Sequence, residues 1–196
     1  MNMMKQVLVA FLGATLVAQP CVAAEAKKAL DEHSTFSGVY VGAGLAADYI
    51  TAQIHDDDVS DSNIAYSALI GWRHQMENDW VFGVEGALGD RKGNLSNDSA
   101  RFKFGYNWHW SAITGKAFGT SKDQLLYAKL GVGGIQVNGN VQGQGIPSHN
   151  FKGTRWAIGY ERALTTNVHV KVETSYISYD KNFEQIQTAA SFMYRF

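Results

Sequence analysis

An alternation of residue types with a period of two runs through most of the chain after residue 35 and constrains its fold more than any other feature. Between Val39 and Tyr49, every second residue is apolar, and the residues between them are small or polar apart from Tyr40. Successive side chains of a β-strand point to opposite faces, so this pattern predicts a strand with two different faces. Seven further segments repeat it, beginning near residues 64, 80, 101, 126, 155, 168 and 185.

The two faces of the predicted strands differ in chemistry. One face carries Trp, Phe, Tyr, Val, Ile and Leu along every segment. In water this face would form a very large exposed apolar patch, whereas in a membrane it would contact the acyl chains of the lipids. The other combines Gly and Ala with charged residues, here called the lumen charge network: Arg73, Glu85, Lys129, Arg155, Glu161, Lys171 and Glu173. We therefore expect an all-β fold, an eight-stranded antiparallel up-and-down transmembrane barrel with these charges inside.

Charges inside such a narrow barrel are expected to pair. An eight-stranded barrel has an interior only just wide enough for side chains. An unpaired buried charge costs several kcal/mol, so the three glutamates should meet the four cations and plug the lumen.

Aromatic residues and connection lengths indicate an orientation. The predicted girdle consists of Trp72, Trp80 and Tyr160 near short connections and Tyr49, Tyr66 and Tyr176 near longer polar ones, at residues 51–63, 90–100 and 138–150. Membrane barrels carry aromatic girdles at both interfaces, with short periplasmic turns and long extracellular loops. The longer loops are therefore expected outside the cell and the N-terminus in the periplasm.

The fourth segment has the least regular pattern. Residues alternate from Phe102 to Trp110, but the facing becomes unclear from Ile113 to Phe118. A β-bulge in the latter stretch would add one residue and reverse the facing beyond it.

The first 24 residues have the order of a secretory signal peptide. Lys5 precedes an apolar run from Val7 to Ala18, and small residues precede an expected cleavage after Ala24. The alternative is a buried N-terminal helix. Cys21 is the single cysteine and would leave with this segment, so the exported chain has no disulfide. We expect residues 1–24 to be the signal peptide, 25–35 a periplasmic segment and 36–196 the barrel.

Composition excludes several classes of protein. The chain has 20 Gly, 10 Phe and 9 Tyr but only 2 Pro, which is typical of β-barrels. A mean hydropathy of -0.19 excludes a bundle of membrane helices. A net charge of -1 leaves no basic excess to neutralise phosphates, so no nucleic acid partner is expected. The sequence predicts neither a cofactor nor a metal site.

Several motifs resemble the small OmpA-like outer-membrane barrels of alphaproteobacterial type, often labelled porin family proteins. The segments FSGVYVGAGLA, NDWVFGVEGALGD, LLYAKLGVGG and GTRWAIGYERALTTNVHVKVETSYI are similar to that family's strands and occur in the same order. The final FMYRF resembles the family's C-terminal assembly signal, with Phe192, Tyr194 and Phe196 at alternate positions. One departure is TGKAFG, where the family usually has more arginines and this chain has only Lys116.

The resemblance implies a place in the outer membrane of a Gram-negative cell, with the lipid bilayer, lipopolysaccharide and the barrel-assembly machinery as partners. The favoured function is a non-enzymatic envelope and surface protein with a plugged lumen. The alternative is an adhesin or a barrel that binds a ligand, such as haem or a host factor, through its extracellular loops. A small-solute pore and a lipid A-modifying enzyme are less favoured.

Two of these alternatives depend on particular residues, and a further one, a soluble carrier, depends on which face of the strands is inside. The acidic stretch from Asp56 to Asp61 suits a divalent cation, but it lacks the Gly and Glu of an EF-hand, so a solvated acidic loop is the simpler interpretation. His169, Glu173 and Ser175 alternate onto one strand face that should point into the lumen, away from any lipid substrate. A soluble lipocalin-like carrier would need the apolar faces inside.

Overall fold

The computed structural model describes residues 35–54, 57–92, 94–97, 100–141, 144–179 and 183–196. The predicted signal peptide and nearly all of the predicted periplasmic segment lie outside these ranges. Within them no helix is long and apolar enough to cross a membrane. The same ranges contain nine strands: β1 Gly38–Ile54, β2 Asp57–Gln75, β3 Trp80–Lys92, β4 Asn94–Asn97, β5 Ala100–Phe118, β6 Gln124–Val141, β7 Gln144–Ala163, β8 Val168–Tyr179 and β9 Phe183–Arg195.

The strands form one closed antiparallel barrel. Their order is β3-β2-β1-β9-β8-β7-β6-β5-β4, and β3 also pairs with β5, which closes the sheet. The short β4 follows β3 after residue 93 and pairs with the same neighbour, β5, so β3 and β4 together make one wall segment of eight. The predicted eight-stranded up-and-down barrel is confirmed. Closure pairs each strand on both sides across the lipid-facing part, as a membrane span requires.

The polar faces of the strands line the interior. Trp156 and Ile158 on β7 are 57% and 56% exposed on the outside, whereas Glu161 on the same strand and Lys171 on β8 are 2% and 4% exposed inside. The same alternation of buried and exposed residues runs along most of the other described strand residues, with interruptions at Gly86 and Gly134, which the rings of Trp110 and Trp108 cover.

The strand ends correct the predicted loop lengths. β1 and β2 stay paired as far as Ile54 and Asp57, and β6 and β7 as far as Val141 and Gln144. The expected loops at 51–63, 90–100 and 138–150 are therefore mostly strand. These stretches are rich in polar residues, and the hydrogen-bond ladder forms between backbones whatever the side chains are, so the sequence pattern does not reveal it. The side chains of the acidic stretch are outside the described set.

The predicted irregularity in the fourth segment is at the wrong place. In β5 the alternation is unbroken from Trp110 to Phe118, and the shift in register lies between Phe104 and Asn107. Ile113 points inward and Lys116 outward. The sequence pattern is unclear here because an apolar residue, Ile113, faces the lumen and a charged residue, Lys116, faces outward.

Candidate functional site: the charged barrel interior

The seven residues of the lumen charge network come together inside the barrel. They are contributed by β2, β3, β6, β7 and β8, and each stands at an inward position of its strand. All seven are between 2% and 4% exposed. Each of the three glutamates forms an ion pair with at least one cation of the set.

Glu85 is the point at which most of these contacts meet. Its carboxylate oxygens lie 2.5 Å from Lys129 Nζ and 2.8 Å from Lys171 Nζ, and Arg73 Nη2 is 3.7 Å away. The Tyr40 hydroxyl donates to the same carboxylate at 2.8 Å. These donors come from four other strands, so one carboxylate joins distant parts of the wall across the bore.

Glu173 forms a second centre. Its oxygens lie 2.5 Å from Lys129 Nζ and 2.9 Å from Arg155 Nη2. The Tyr127 hydroxyl also donates to it at 2.9 Å. Lys129 therefore bridges two carboxylates, which is why a lysine with three donor hydrogens suits this position.

Glu161 completes the set towards the short turns. It lies 2.5 Å from Arg73 Nη1 and 3.0 Å from His169 Nδ1. The Arg73 guanidinium also stands over the Tyr40 ring, 4.2 Å from its centroid. A guanidinium has donors for several partners at once and stacks on aromatic faces, which matches both contacts.

A fourth carboxylate extends the network and was not included in the sequence prediction. Gln187 Nε2 donates to Asp48 Oδ1 at 2.7 Å, and Arg155 Nη1 donates to Gln187 Oε1 at 3.2 Å. Asp48 is 2% exposed. With Asp48 included, the network has four carboxylates and four Arg or Lys side chains, so these charges balance. Asp48 stands at an inward position of the period-two alternation, and this position is the sequence feature that indicates its place in the lumen.

An apolar cluster closes the interior at the short-turn end. It consists of the buried side chains Phe36, Val81, Ile113, Ala117, Leu125 and Tyr127. Phe36 precedes β1 and packs edge-on against His169, with ring centroids 5.6 Å apart. Its amide donates to Gln75 Oε1 at 3.1 Å, and the Gln75 amide donates to Ser37 Oγ at 2.8 Å. The alternation pattern does not reveal this insertion, because Phe36 lies just before the first strand.

The predicted girdle and assembly-signal residues stand on the outer wall. Each girdle residue is exposed, with Trp72, Trp80 and Tyr160 nearer the short turns and Tyr49, Tyr66 and Tyr176 nearer the long hairpins. Phe192, Tyr194 and Phe196 also face outward on or just after β9, and the last two rings pack edge to face with centroids 5.2 Å apart.

The residues weighed for catalysis are inside the barrel but do not form a triad. His169 contacts Glu161 and not Glu173, and the Ser175 hydroxyl points to the Gln187 carbonyl at 3.5 Å. In the part of the chain that the structure describes, no group of three or more His, Cys, Asp or Glu residues is arranged to hold a metal ion.

A closed barrel with an apolar outer face and a charged interior defines the class of transmembrane β-barrels. The family model described as outer membrane protein beta-barrel domain matches residues 9–196, and the chain belongs to this family. The protein is therefore an outer-membrane barrel of the cell envelope, and the resemblance to small OmpA-like barrels is confirmed.

Solved structures of small barrels are similar in fold. Neisserial surface protein A, NspA, has a TM-score of 0.61 at 22% identity, and the match covers 82% of this chain and 98% of that one. Ail, the attachment invasion locus protein of Yersinia pestis, has a TM-score of 0.57 at 18% identity, and the match covers 82% of this chain and 99% of that one. Ail in complex with the heparin analogue sucrose octasulfate has a TM-score of 0.56 at 18% identity, again covering 82% and 99%. These likenesses show the fold. No curated protein matches the sequence.

Proposed function

We propose that this protein is a non-enzymatic barrel with a sealed lumen that serves the structure and surface of the outer membrane. The observation that carries the proposal is the burial of the whole lumen charge network in ion pairs across the bore. A solute would have to break several of these pairs at once, and breaking one buried pair costs about 3–5 kcal/mol.

A second layer supports the seal. The apolar cluster around Phe36 fills the interior between the network and the short turns. An ion that passed the charged layer would then meet buried apolar side chains, where an unpaired charge is costly.

Single-channel recording in planar bilayers tests the seal. The wild-type barrel is expected to give no stable openings of general-porin size. Lys129→Ala removes the side chain that bridges Glu85 and Glu173, so it should raise the frequency of small current steps. Lys122→Ala, in a turn outside the lumen, serves as the matched control. Stable large openings of the wild type would reject the seal.

The orientation and assembly of the barrel belong to the same proposal. Strands β1, β2, β5, β6 and β7 contain 17, 19, 19, 18 and 20 residues, whereas about 9–11 residues span a bilayer. All the excess lies at the long-hairpin end, which therefore extends from the cell into the medium, with the short turns in the periplasm. Phe192, Tyr194 and Phe196 are the residues that the assembly machinery reads. Protease added to intact cells should cut the long hairpins and spare the short turns.

Contact with a surface ligand is the second candidate function. It is favoured by the length of the hairpins, which present paired strands beyond the membrane. The sequence of the first hairpin contains Asp57, Asp58 and Asp61, so a polyanion of the kind bound to Ail is disfavoured by charge repulsion. Deleting residues 56–61 while adhesion of whole cells and cation binding are measured tests this candidate. Loss of either would support it.

The absence of catalysis is also proposed. The lumen position of His169 and Ser175 and the lack of contact between them support it. Mass spectra of lipid A from overexpressing cells should match those from control cells, and a new lipid A species that depends on His169 would contradict the proposal.

A further inference from the structure

A lysine stands on the lipid-facing wall close to the short turns. Lys116 is an exposed, outward residue of β5. In register, Trp80 of β3 lies on one side of it and Leu126 of β6 on the other. The next outward residue of β5 is Phe118. The lysine is therefore set within the aromatic girdle and not in a turn.

Two other cations described at this rim form ion pairs with carboxylates. Lys122 Nζ lies 2.6 Å from Asp79 Oδ2, and Arg162 Nε lies 3.7 Å from Asp123 Oδ2. No described carboxylate forms such a pair with Lys116. A cation on a lipid-facing wall is costly unless its long side chain reaches the polar interface, where lipid phosphates are the available anions.

Small outward side chains, bordered by larger ones, form a stretch of the wall, here called the furrow, that begins beside Lys116. The outward residues that follow it towards the middle of the membrane are Thr114 and Ala112, and Ala128 lies beside Thr114 in register. Larger side chains border this stretch and close it at the far end: Phe82 and Val84 on β3, Leu130 on β6 and Trp110, whose ring lies against Gly86.

The length of the furrow fits one leaflet. Lys116 and Trp110 are six positions apart in sequence, which at a rise of about 3.3 Å per residue is about 20 Å along the strand. With a strand tilt of about 40°, this corresponds to a depth of about 15 Å, or half of the hydrocarbon core.

We propose that Lys116 and the indole N–H of Trp80 bind the phosphate of an anionic phospholipid, and that one acyl chain of this lipid lies along Thr114, Ala112 and Ala128. The positive charge of Lys116 and its position within the aromatic girdle favour an anionic headgroup. The small side chains beside it leave room for an acyl chain. The lipid site requires only that the barrel lies in the outer membrane. If the short turns are in the periplasm, as proposed above, the site lies in the periplasmic leaflet.

Native mass spectrometry of the folded, full barrel in a zwitterionic detergent tests the site. Dioleoyl-phosphatidylglycerol should form an adduct with a lower Kd than dioleoyl-phosphatidylcholine. Lys116→Gln should raise that Kd about fivefold, because one lysine near an anionic lipid contributes about 1 kcal/mol. Lys116→Arg should retain the adduct. Lys122→Gln makes the same charge change at the same rim and should leave the Kd unchanged.

A second variant tests the furrow. Ala112→Leu fills it on the lipid side without touching the lumen and should weaken lipid binding several-fold. Heat-modifiable gel migration verifies that each variant is folded. Equal Kd values for the wild type and Lys116→Gln, or an equal loss in Lys122→Gln, would overturn the site. Glycerophosphoglycerol that competes as strongly as the lipid would overturn the acyl contact. Lumen conductance plays no part in this assay, so its failure would leave the sealed-lumen proposal standing.

Discussion

Replacing Glu85 by Gln removes one negative charge from the centre of the lumen charge network while nearly preserving the shape of the side chain. The carboxylate faces Lys129 Nζ at 2.5 Å, Lys171 Nζ at 2.8 Å and Arg73 Nη2 at 3.7 Å. All four groups are between 2% and 4% exposed. The variant therefore leaves three buried cations with one fewer anion and adds no cavity.

The expected loss in the free energy of unfolding is about 3–5 kcal/mol, the usual cost of removing one partner of a buried ion pair. It is not three times that value, since the cations share Glu85 and keep other partners. Lys129 remains 2.5 Å from Glu173, and Arg73 remains 2.5 Å from Glu161. Energies within one such network are not additive.

Equilibrium unfolding by urea in phospholipid vesicles measures this loss, with tryptophan fluorescence and heat-modifiable gel migration as two readouts. Asp79→Asn is the control, because it breaks the exposed pair with Lys122 and should cost no more than about 1 kcal/mol. Asn also suits the left-handed backbone of that residue, whose φ is 67°. Adding Lys171→Met to Glu85→Gln should recover at least about 1 kcal/mol. Equal free energies of unfolding for Glu85→Gln and the control would show that the buried ion pairs of Glu85 do not stabilise the barrel.

Three further changes test other parts of the structure. Phe36→Ala should lower the free energy of unfolding in the same assay by about 3–5 kcal/mol, because it empties a buried aromatic site, and an unchanged value would show that the residue does not seal the interior. Gly159→Ala should cost about 1–3 kcal/mol, since its Cβ would meet the Tyr127 ring, and normal stability would argue against that packing. Phe196→Ala removes an exposed ring, so it should leave the stability of refolded protein within about 1 kcal/mol of the wild type. In cells it should reduce the amount of heat-modifiable barrel in outer-membrane fractions; normal amounts would reject its role in assembly.

The period-two pattern was sufficient for most of the fold because lipid and lumen impose opposite demands on the two faces of each strand. It placed Glu85, Glu161 and Glu173 on the inner face, and a narrow bore made their pairing an expectation. The pattern does not choose which cation meets which carboxylate. That choice depends on register and barrel shear, as in the pair of Arg73 and Glu161, which are 88 residues apart in sequence.

Other features were beyond the pattern for physical reasons. The strand extensions near Ile54 and Val141 lie in stretches of sequence that are rich in polar residues and lack a sustained apolar face, so no alternation marks them. Phe36 enters the interior from a segment that is not yet strand. Lys116 contradicts the expected apolar outer face, and only the register of β5 with its neighbours shows that it points to lipid.

A transmembrane barrel requires that its large nonpolar side chains contact acyl chains, and the native tryptophans report on this contact without any substitution. Four of the five, Trp72, Trp80, Trp110 and Trp156, are exposed on the outer wall, and Trp108 is half-buried there. Refolding into vesicles of lipids brominated along the acyl chain should strongly quench the fluorescence, while aqueous iodide should have little effect. Fluorescence that is unaffected by brominated lipid but quenched by iodide would contradict the outward arrangement and with it the membrane barrel.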